Sequence, residues 1–379
     1  MDTREEQRES AEGRDRDGSA APTGVATATA EDHAGSHDAS EFARSFLYYL
    51  SPRRISAVYL FILFIVVFSL LNPDTFLTSA TFRLVFSEGV VTCLLALAFL
   101  VPLATGAFDL SIGALLGLSI SLCIWLNINT GIPAAVAALL AIAATTGVGA
   151  VSGFVVVKLR VNSFIATLGT SQIVLAAVFL ITGNSQLIAA FPDSYKSLGN
   201  QLVAGIPIVV FYLLAVALVL WFVLEFTPVG RYLFATGGNE PAARLTGIRT
   251  DRMVWGAMIA SGAICGLAGV IYSMRTGVFS ASVGSDYLFP AVAAVFLGAS
   301  QFKQRPNVWG TLIAYFALAF GIQGLSLTSS SAAIWSRPLF EGVALIIAVA
   351  MASRPVAVKL KEGRRGRSRG QSAEATSAS

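Results

Sequence analysis

From about residue 55 onward the chain is a succession of apolar stretches, each close to the roughly 20 residues that an α-helix needs to cross the hydrocarbon core of a bilayer. About ten can be placed, at 55–71, 84–104, 110–126, 132–157, 164–182, 206–226, 253–274, 287–299, 308–327 and 338–352. The stretches at 287–299 and 338–352 are short for a full crossing and are expected to tilt or re-enter. Lipid offers backbone N–H and C=O groups no partner, so spans of this kind fold as helices. The expected fold is all-α, a polytopic membrane helical bundle with about ten transmembrane helices. Composition excludes an ordinary soluble domain. Hydrophobic residues make up 55% of the chain and charged residues 13%, against about 25% charged in soluble proteins.

The net charge of +4 would suggest nucleic acid if it were spread over a soluble surface. Here Lys and Arg cluster beside apolar stretches, where they mark cytoplasmic connections. The lipid bilayer is therefore an expected partner and nucleic acid is not. Arg53 and Arg54 precede the first span, and Lys158 and Arg160 follow the fourth. Arg231, Arg244, Arg249 and Arg252 fill the connection after the sixth, and Lys303 and Arg305 follow the eighth. A basic run from Lys359 to Arg369 follows the last. This alternation puts both termini in the cytoplasm and faces 183–205 and 329–337 outward. The connection at 106–109 carries no cation, which leaves its depth open between the surface and the interior of the bundle.

Three regions are expected. Residues 1–44 form a polar tail too poor in bulky apolar residues to fold, and too acidic to be a secretory signal. Residues 45–354 form the transmembrane domain, and residues 355–379 a basic cytoplasmic tail.

The chemistry available inside the membrane is limited. Cys93, Cys123 and Cys265 lie in apolar spans without CxxC spacing, so they predict neither disulfides nor a metal site. His33 and His37 lie in the N-terminal tail, which removes histidine from the membrane region. An intramembrane enzyme would need a nucleophile with its base or a metal cluster, and neither is present in the pattern. No GxxxxGK[ST] sequence occurs, so the chain holds no P-loop for ATP. No catalytic residue, metal or cofactor is expected in this chain.

One carboxylate breaks the apolar run from about Val90 to Trp125: Asp109, within GAFDLSIGALLG. It costs about 2.5–3.5 kcal/mol at the bilayer centre on insertion scales and so asks for a cause. An Asp there, followed by Leu110 and Ser111 and an unbroken apolar helix, can accept hydrogen bonds from unpaired N–H groups of the first turn. It can also line a pathway at a broken helix. The two roles are compatible.

The longest basic connection, 227–252, contains a second signal. Asn239 suits a helix N-cap, Glu240 and Pro241 the first turn, and Gly247 the position just past the end. Glu240 to Ile248 therefore reads as a short capped surface helix. Its paired small residues, Ala242 and Ala243, would let another protein approach closely. The alternative is a connection that serves topology alone. Small residues recur in the spans, as in Gly147-x-Gly149-x-x-x-Gly153 and Gly262-x-x-x-Gly266-x-x-Gly269, and predict close helix packing. Glu88, Glu225, Arg275, Asp286, Arg337 and Glu341 fall near expected helix ends, where long side chains reach water.

These stretches carry a family resemblance. TGAFDLSIGALLGL resembles the G-I-D-L-S-V-G signature of permease subunits in ribose-type ATP-binding-cassette sugar importers, with Ala107 and Phe108 replacing Gly and Ile. The basic connection is similar to that family's G-R-x-x-x-A-x-G-x-N-x-x-A-A-x-x-x-G-I pattern at Gly230, Arg231, Ala235, Gly237, Asn239, Ala242, Ala243, Gly247 and Ile248. It also looks like the E-A-A loop through which importer permeases contact their ATPase. Further similar stretches lie at 161–169, 261–269, 310–313 and 323–325, and the resemblance spans about 72–351. Asn162 departs from the family's Pro before Ser-Phe-Ile, and 297–307 lacks that loop's usual glycines.

The resemblance implies a permease for a monosaccharide or related small polar solute in the bacterial cytoplasmic (inner) membrane. Its implied partners are an ATP-binding-cassette ATPase, an extracytoplasmic solute-binding protein and a second permease copy, as a homodimer. It implies an ATPase-coupling role for Gly230, Arg231, Asn239, Glu240, Ala242, Ala243, Gly247 and Ile248. Asp109, Ser111, Asn162 and Phe164 are candidates for the pathway or for helix caps. The competing reading, an ion-coupled secondary transporter, rests on Asp109 alone.

Overall fold

A computed structural model describes residues 56–299, 305–329 and 332–352. The tails expected at 1–44 and 355–379 lie outside the described residues. The described chain is built from helices α1 (Ser56–Leu71), α2 (Ser79–Ala104), α3 (Ile112–Thr130), α4 (Ala134–Lys158) and α5 (Ser163–Thr182), then α6 (Asp193–Asn200) and α7 (Ile208–Phe226). Two short helices follow, α8 (Pro228–Gly238) and α9 (Glu240–Leu245), and then α10 (Thr250–Thr276), α11 (Val283–Ala299), α12 (Val308–Thr328) and α13 (Ala332–Ala352).

Every expected span coincides with a helix, and seven of the described helices are long and apolar enough to cross a membrane: α2, α3, α4, α5, α7, α10 and α12. Several helices begin before the apolar window that announced them. α2 starts at Ser79 because Thr78 caps it, its side chain accepting from the Thr81 N–H at 3.3 Å. α13 starts at Ala332, so Arg337 and Glu341 lie within it. The expectation that Glu88 and Glu341 stand near helix ends is thereby corrected, since each lies nine residues inside its helix.

α2 is the axis of the bundle. Every residue from Gly89 to Pro102 is buried, as expected of a helix that is apolar all round, and α7, α10, α11 and α12 pack against it. α5 and α7 lie at the periphery and leave Ile173, Leu180, Val219 and Phe222 exposed. The aromatic side chains of Phe68, Phe76, Phe82 and Phe86 gather around Phe320 and join α1 and α2 to α12.

The seam between α4 and α10 rests on glycine. A Cβ at Gly149 would lie 2.5 Å from the Met258 carbonyl oxygen, and one at Gly262 would lie 2.4 Å from that of Thr145. The backbones therefore touch, which no larger residue permits. Gly266 meets the Thr145 side chain in the same way, and Gly269 meets Ser119 of α3. Gly147, expected in the same packing motif, faces open space instead.

The connection at 183–205, expected to be an outward loop, contains α6 and two strands. β1 (Leu187–Ile188) pairs antiparallel with β4 (Val278–Phe279), and β2 (Leu202–Val203) pairs with β3 (Ile206–Pro207) across a two-residue turn. Ala204 and Gly205 both take positive φ there, as a tight hairpin of this hand demands. α6 folds because it has a surface to dock on. Its Tyr195 hydroxyl lies 3.0 Å from Ser273 Oγ, and Gly199 abuts the backbone of Met274 and Arg275.

The seam yields a direct test. Gly149→Val or Gly262→Val should overpack the α4–α10 contact at a cost of about 1–3 kcal/mol, lowering the unfolding temperature of the detergent-purified protein. Gly147→Val and Gly256→Val, which meet open space, should leave it near the parent value. Equal effects at all four positions would rule out the backbone seam as the cause.

Candidate functional site: a buried turn joined to a surface helix

In the turn between α2 and α3, Thr105, Ala107, Asp109 and Ser111 are buried, while Gly106 is exposed. α2 ends at Ala104, Gly106 takes φ +82 to reverse the chain, and the Ala107 N–H returns to the Pro102 carbonyl at 3.1 Å. From there to Ile112 the backbone is irregular, and two of its N–H groups are satisfied by side chains from α5. Phe108 N–H donates to Ser163 Oγ at 3.0 Å, and Leu110 N–H donates to Thr167 Oγ1 at 3.1 Å. The turn thus packs against α5 within the bundle, with Gly106 alone exposed.

Asp109 is 1% exposed. Its Oδ1 accepts from the Ser111 N–H at 3.1 Å and from the Ser111 hydroxyl, while Oδ2 accepts from Ser261 Oγ of α10 at 2.6 Å. The carboxylate reaches the N–H two residues on, which is the bond of a capping Asp, although regular α3 begins only at Ile112. It also ties the turn to α10, a contact that capping alone does not require. The groove between α3 and α5 is lined by Leu110, Gly113, Gly117, Leu168, Ser171 and Gln172, while Asp109 turns to α10.

Asn162 and Phe164 do not join Asp109. Asn162 caps α5 by accepting from the Phe164 N–H at 2.9 Å, and Phe164 is exposed. The residue between them, Ser163, is the one that reaches the turn, together with Thr167 one helical turn later. Ser163, Thr167 and Ser261 were missed as partners. The four-residue spacing of Ser163 and Thr167, which puts both on one face of α5, is the signal that could have found them.

On the other side of the turn stands α8. A Cβ at Gly237 would come within 2.4 Å of the Ala104 carbonyl oxygen and 3.0 Å of the Gly106 N. The end of α8 therefore rests on the backbone of the turn. At the start of α8, a Cβ on Gly230 would lie 2.1 Å from the Leu224 oxygen, so glycine is what permits the sharp corner after α7. Arg305 fastens this corner, pairing with Glu225 of α7 at 2.6 Å and stacking 4.4 Å from the centre of the Phe234 ring. Within 297–307, residues 300–304 lie outside the described residues, while Asn307 caps α12 by accepting from the Gly310 N–H at 2.6 Å.

α9 has the ends its sequence predicts. Asn239 Oδ1 accepts from the Ala242 N–H at 3.1 Å. At the far end Gly247 takes φ +86, its N–H bonds to Arg244 O at 3.0 Å, and the Ile248 N–H bonds to Ala243 O at 3.1 Å. This is a Schellman closure with glycine in the left-handed position. Glu240 Oε1 accepts from Arg244 at 2.7 Å and from Thr250 Oγ1 at 3.3 Å, and Arg244 also reaches Asp251. Glu240, and after it Asp251, push the Arg244 guanidinium above its ordinary range. Arg231 is exposed on α8.

The expectation that Ala242 and Ala243 both face a partner is corrected. Successive helical residues point about 100° apart, and Ala243 is buried at 5% exposure against its own chain while Ala242 is exposed. The outward face of α9 carries Leu245 instead, 91% exposed.

Residues 82–352 match the family described as the branched-chain amino acid transport system / permease component. This chain belongs to that permease family. The ribose import permease protein RbsC of Escherichia coli strain K12 is 31% identical over 292 residues, covering 75% of this chain and 89% of that protein. The RbsC of Haemophilus influenzae is 28% identical over 292 residues, covering 76% of this chain and 89% of that protein. The fructose import permease protein FrcC of Rhizobium meliloti is 29% identical over 309 residues, covering 79% of this chain and 85% of that protein. No solved structure gives a significant match. The permease family membership and the long apolar helices together make this a multi-pass membrane transport protein.

For the permease, the buried turn predicts an ordered mutational series. Asp109→Asn keeps an acceptor for Ser111 and should retain most of the parent stability and transport. Asp109→Leu leaves the Ser111 N–H and the Ser261 hydroxyl buried without an acceptor, at about 1–3 kcal/mol each, and should lower both sharply. Ser261→Ala should fall between the two. Thermal unfolding in detergent and uptake in vesicles measure the series. A stable, inserted Asn variant without transport would instead give the charge itself a direct part.

Proposed function

We propose that this chain is the membrane-spanning subunit of an ATP-binding-cassette importer that carries a monosaccharide or related small polar solute into the cytoplasm. Family membership supports the transport role, and the similarity to ribose and fructose import permeases supports the solute class. The observation that carries the coupling role is the backbone contact of α8 on the α2–α3 turn, with α9 standing beyond it and presenting Leu245 outward.

In this reading α9 seats in a groove of a separate ATPase. The Leu245 side chain is the apolar anchor, and Glu240 and Arg244 hold the helix in shape. A movement imposed on α9 passes through α8 to Gly237 and so to the backbone at Ala104 and Gly106. The turn in turn holds α10 through Asp109 and Ser261, and α5 through Ser163 and Thr167. A second copy of the chain completes the pathway, and an extracytoplasmic solute-binding protein delivers the solute at the opposite end. Both termini lie in the cytoplasm, with α9 on the same side. The chain itself holds no cofactor and draws its energy from the partner's ATP.

The test is co-purification with the ATPase and uptake of labelled ribose, fructose or allose in vesicles. Leu245→Asp and Ala242→Trp alter only the outward face of α9. Each should leave insertion intact and reduce ATPase association by about tenfold or more, the loss of a buried apolar anchor being worth about 2 kcal/mol. Ala190→Trp, on an exposed position of the connection between α5 and α6, should change neither association nor uptake. Full association and uptake in both α9 variants would remove the coupling assignment.

A further inference from the structure

At the far end of α2 from the coupling segment, a cavity of about 70 Å³ lies between α2, α11, α12 and α13. One buried water needs about 10–15 Å³ by the same measure, so several water-sized groups fit. Its walls carry Glu88, Tyr287, Tyr315, Gln323, Arg337 and Glu341. α2, α11 and α13 contribute their N-terminal halves, and α12 contributes residues from Tyr315 to Gln323. Glu88 and Glu341 each stand about 14 Å along their helices from the first residue, at 1.5 Å per residue.

The Tyr287 ring packs on Tyr272 and the Tyr315 ring on Phe316, but the charged side chains and Gln323 are not spent on holding the bundle together. Ion pairs elsewhere join Arg305 to Glu225 and Arg244 to Glu240 and Asp251. Among the described residues, none of Glu88, Tyr287, Gln323, Arg337 and Glu341 makes a side-chain hydrogen bond or an ion pair. Ionisable groups at membrane depth are costly, and where they persist they mark pathways. The surroundings are built to admit them. Gly89 makes room for the Tyr315 ring, whose Cε1 would lie 2.8 Å from any Cβ at that position. Pro290 in α11 and Pro338 in α13 each remove an intrahelical hydrogen bond close to the cavity.

We propose that this cavity is a subsite for a polyhydroxylated solute within the permease, placed on the outer half of its route. The inference rests on the reading of the chain as a monosaccharide permease and adds the residues that hold the solute. The Glu88 and Glu341 carboxylates accept hydrogen bonds from solute hydroxyls. Arg337 and the Gln323 amide donate to hydroxyl or ring oxygens. Tyr287 and Tyr315 offer ring faces to the C–H side of the solute, and Leu84 and Ile322 line the cavity with apolar surface. A mixed set of acceptors, donors and rings suits a neutral polyol better than an ion, which would need charges of one sign.

The test uses the complete transporter, with its ATPase and solute-binding protein, in proteoliposomes supplied with ribose, fructose or allose. Cys93, Cys123 and Cys265 are buried, so a membrane-impermeant maleimide reads the thiol introduced by Gln323→Cys against a quiet background. A sugar that the wild-type complex transports should slow that labelling about fivefold, and a sugar it does not transport should leave the rate unchanged, as expected for an occupied site. Glu88→Gln and Glu341→Gln should each lower uptake about tenfold, the loss of one charge-assisted hydrogen bond, with ATPase association intact. Labelling that the transported sugar does not slow overturns the subsite, and so does parent-level uptake in both Gln variants. Absence of uptake of all three sugars by the wild-type complex defeats the sugar-permease reading itself and takes this inference with it.

Discussion

A membrane bundle can interrupt a helix only where other protein groups take over the hydrogen bonds that the helix gives up. The α2–α3 turn meets this condition in full view of its neighbours. Ser163 and Thr167 receive the N–H groups of Phe108 and Leu110, Asp109 receives that of Ser111, and Ser261 donates to the remaining carboxylate oxygen. Each unmade bond would leave a buried polar group unpaired, at about 1–3 kcal/mol. The positions of α5 and α10 are therefore coupled to the turn by necessity. A shift of either helix would leave a buried polar group without its partner.

Close backbone contact is what brings those partners within reach. Ser261 meets Asp109 because its neighbour Gly262 lets α10 lie against α4 at Thr145, and Gly269 lets the same helix lie against Ser119 of α3. Gly237 does the corresponding work for α8 on the opposite side of the turn. Polar satisfaction and small-residue packing are thus two aspects of one arrangement. Neither alone would hold a carboxylate at 1% exposure in an apolar bundle.

The parts of this arrangement that sequence reveals are those with a local cause. Apolar runs about as long as a bilayer is thick announce the helices, and Asn239 and Gly247 announce both ends of α9 because capping depends on neighbours a few residues away. What stays hidden depends on distant contacts. Thr146 and Thr182 bond their own helix's carbonyls four residues back, and nothing local separates them from Ser163 or Ser261, which reach other segments. α6 and α8 were hidden for a related reason. Their Gly-containing, partly polar sequences read as loops until docking on α10 and on the α2–α3 turn gives them a surface to fold against. Ala243 and Leu245 show the same limit at single-residue scale, because a helix of this length has too few turns to reveal which face it buries.

α2 connects the buried turn to the polar cavity. Its C-terminus carries the turn that α8 rests on, its N-terminal half carries Glu88, and the residues between, from Gly89 to Pro102, are buried on all sides. Close-packed interiors are nearly incompressible, so a helix in this position moves as a body or not at all. A displacement of α8 against the Ala104 carbonyl therefore cannot be absorbed locally by side-chain rearrangement, because both surfaces in contact are backbone. It must shift α2 relative to its neighbours or break the hydrogen bonds of the turn. The polar cavity is walled by α2 on one side and by the proline-containing helices α11 and α13 on others. Those walls are where a shift of α2 would be felt, since prolines weaken the helices that would otherwise follow it rigidly.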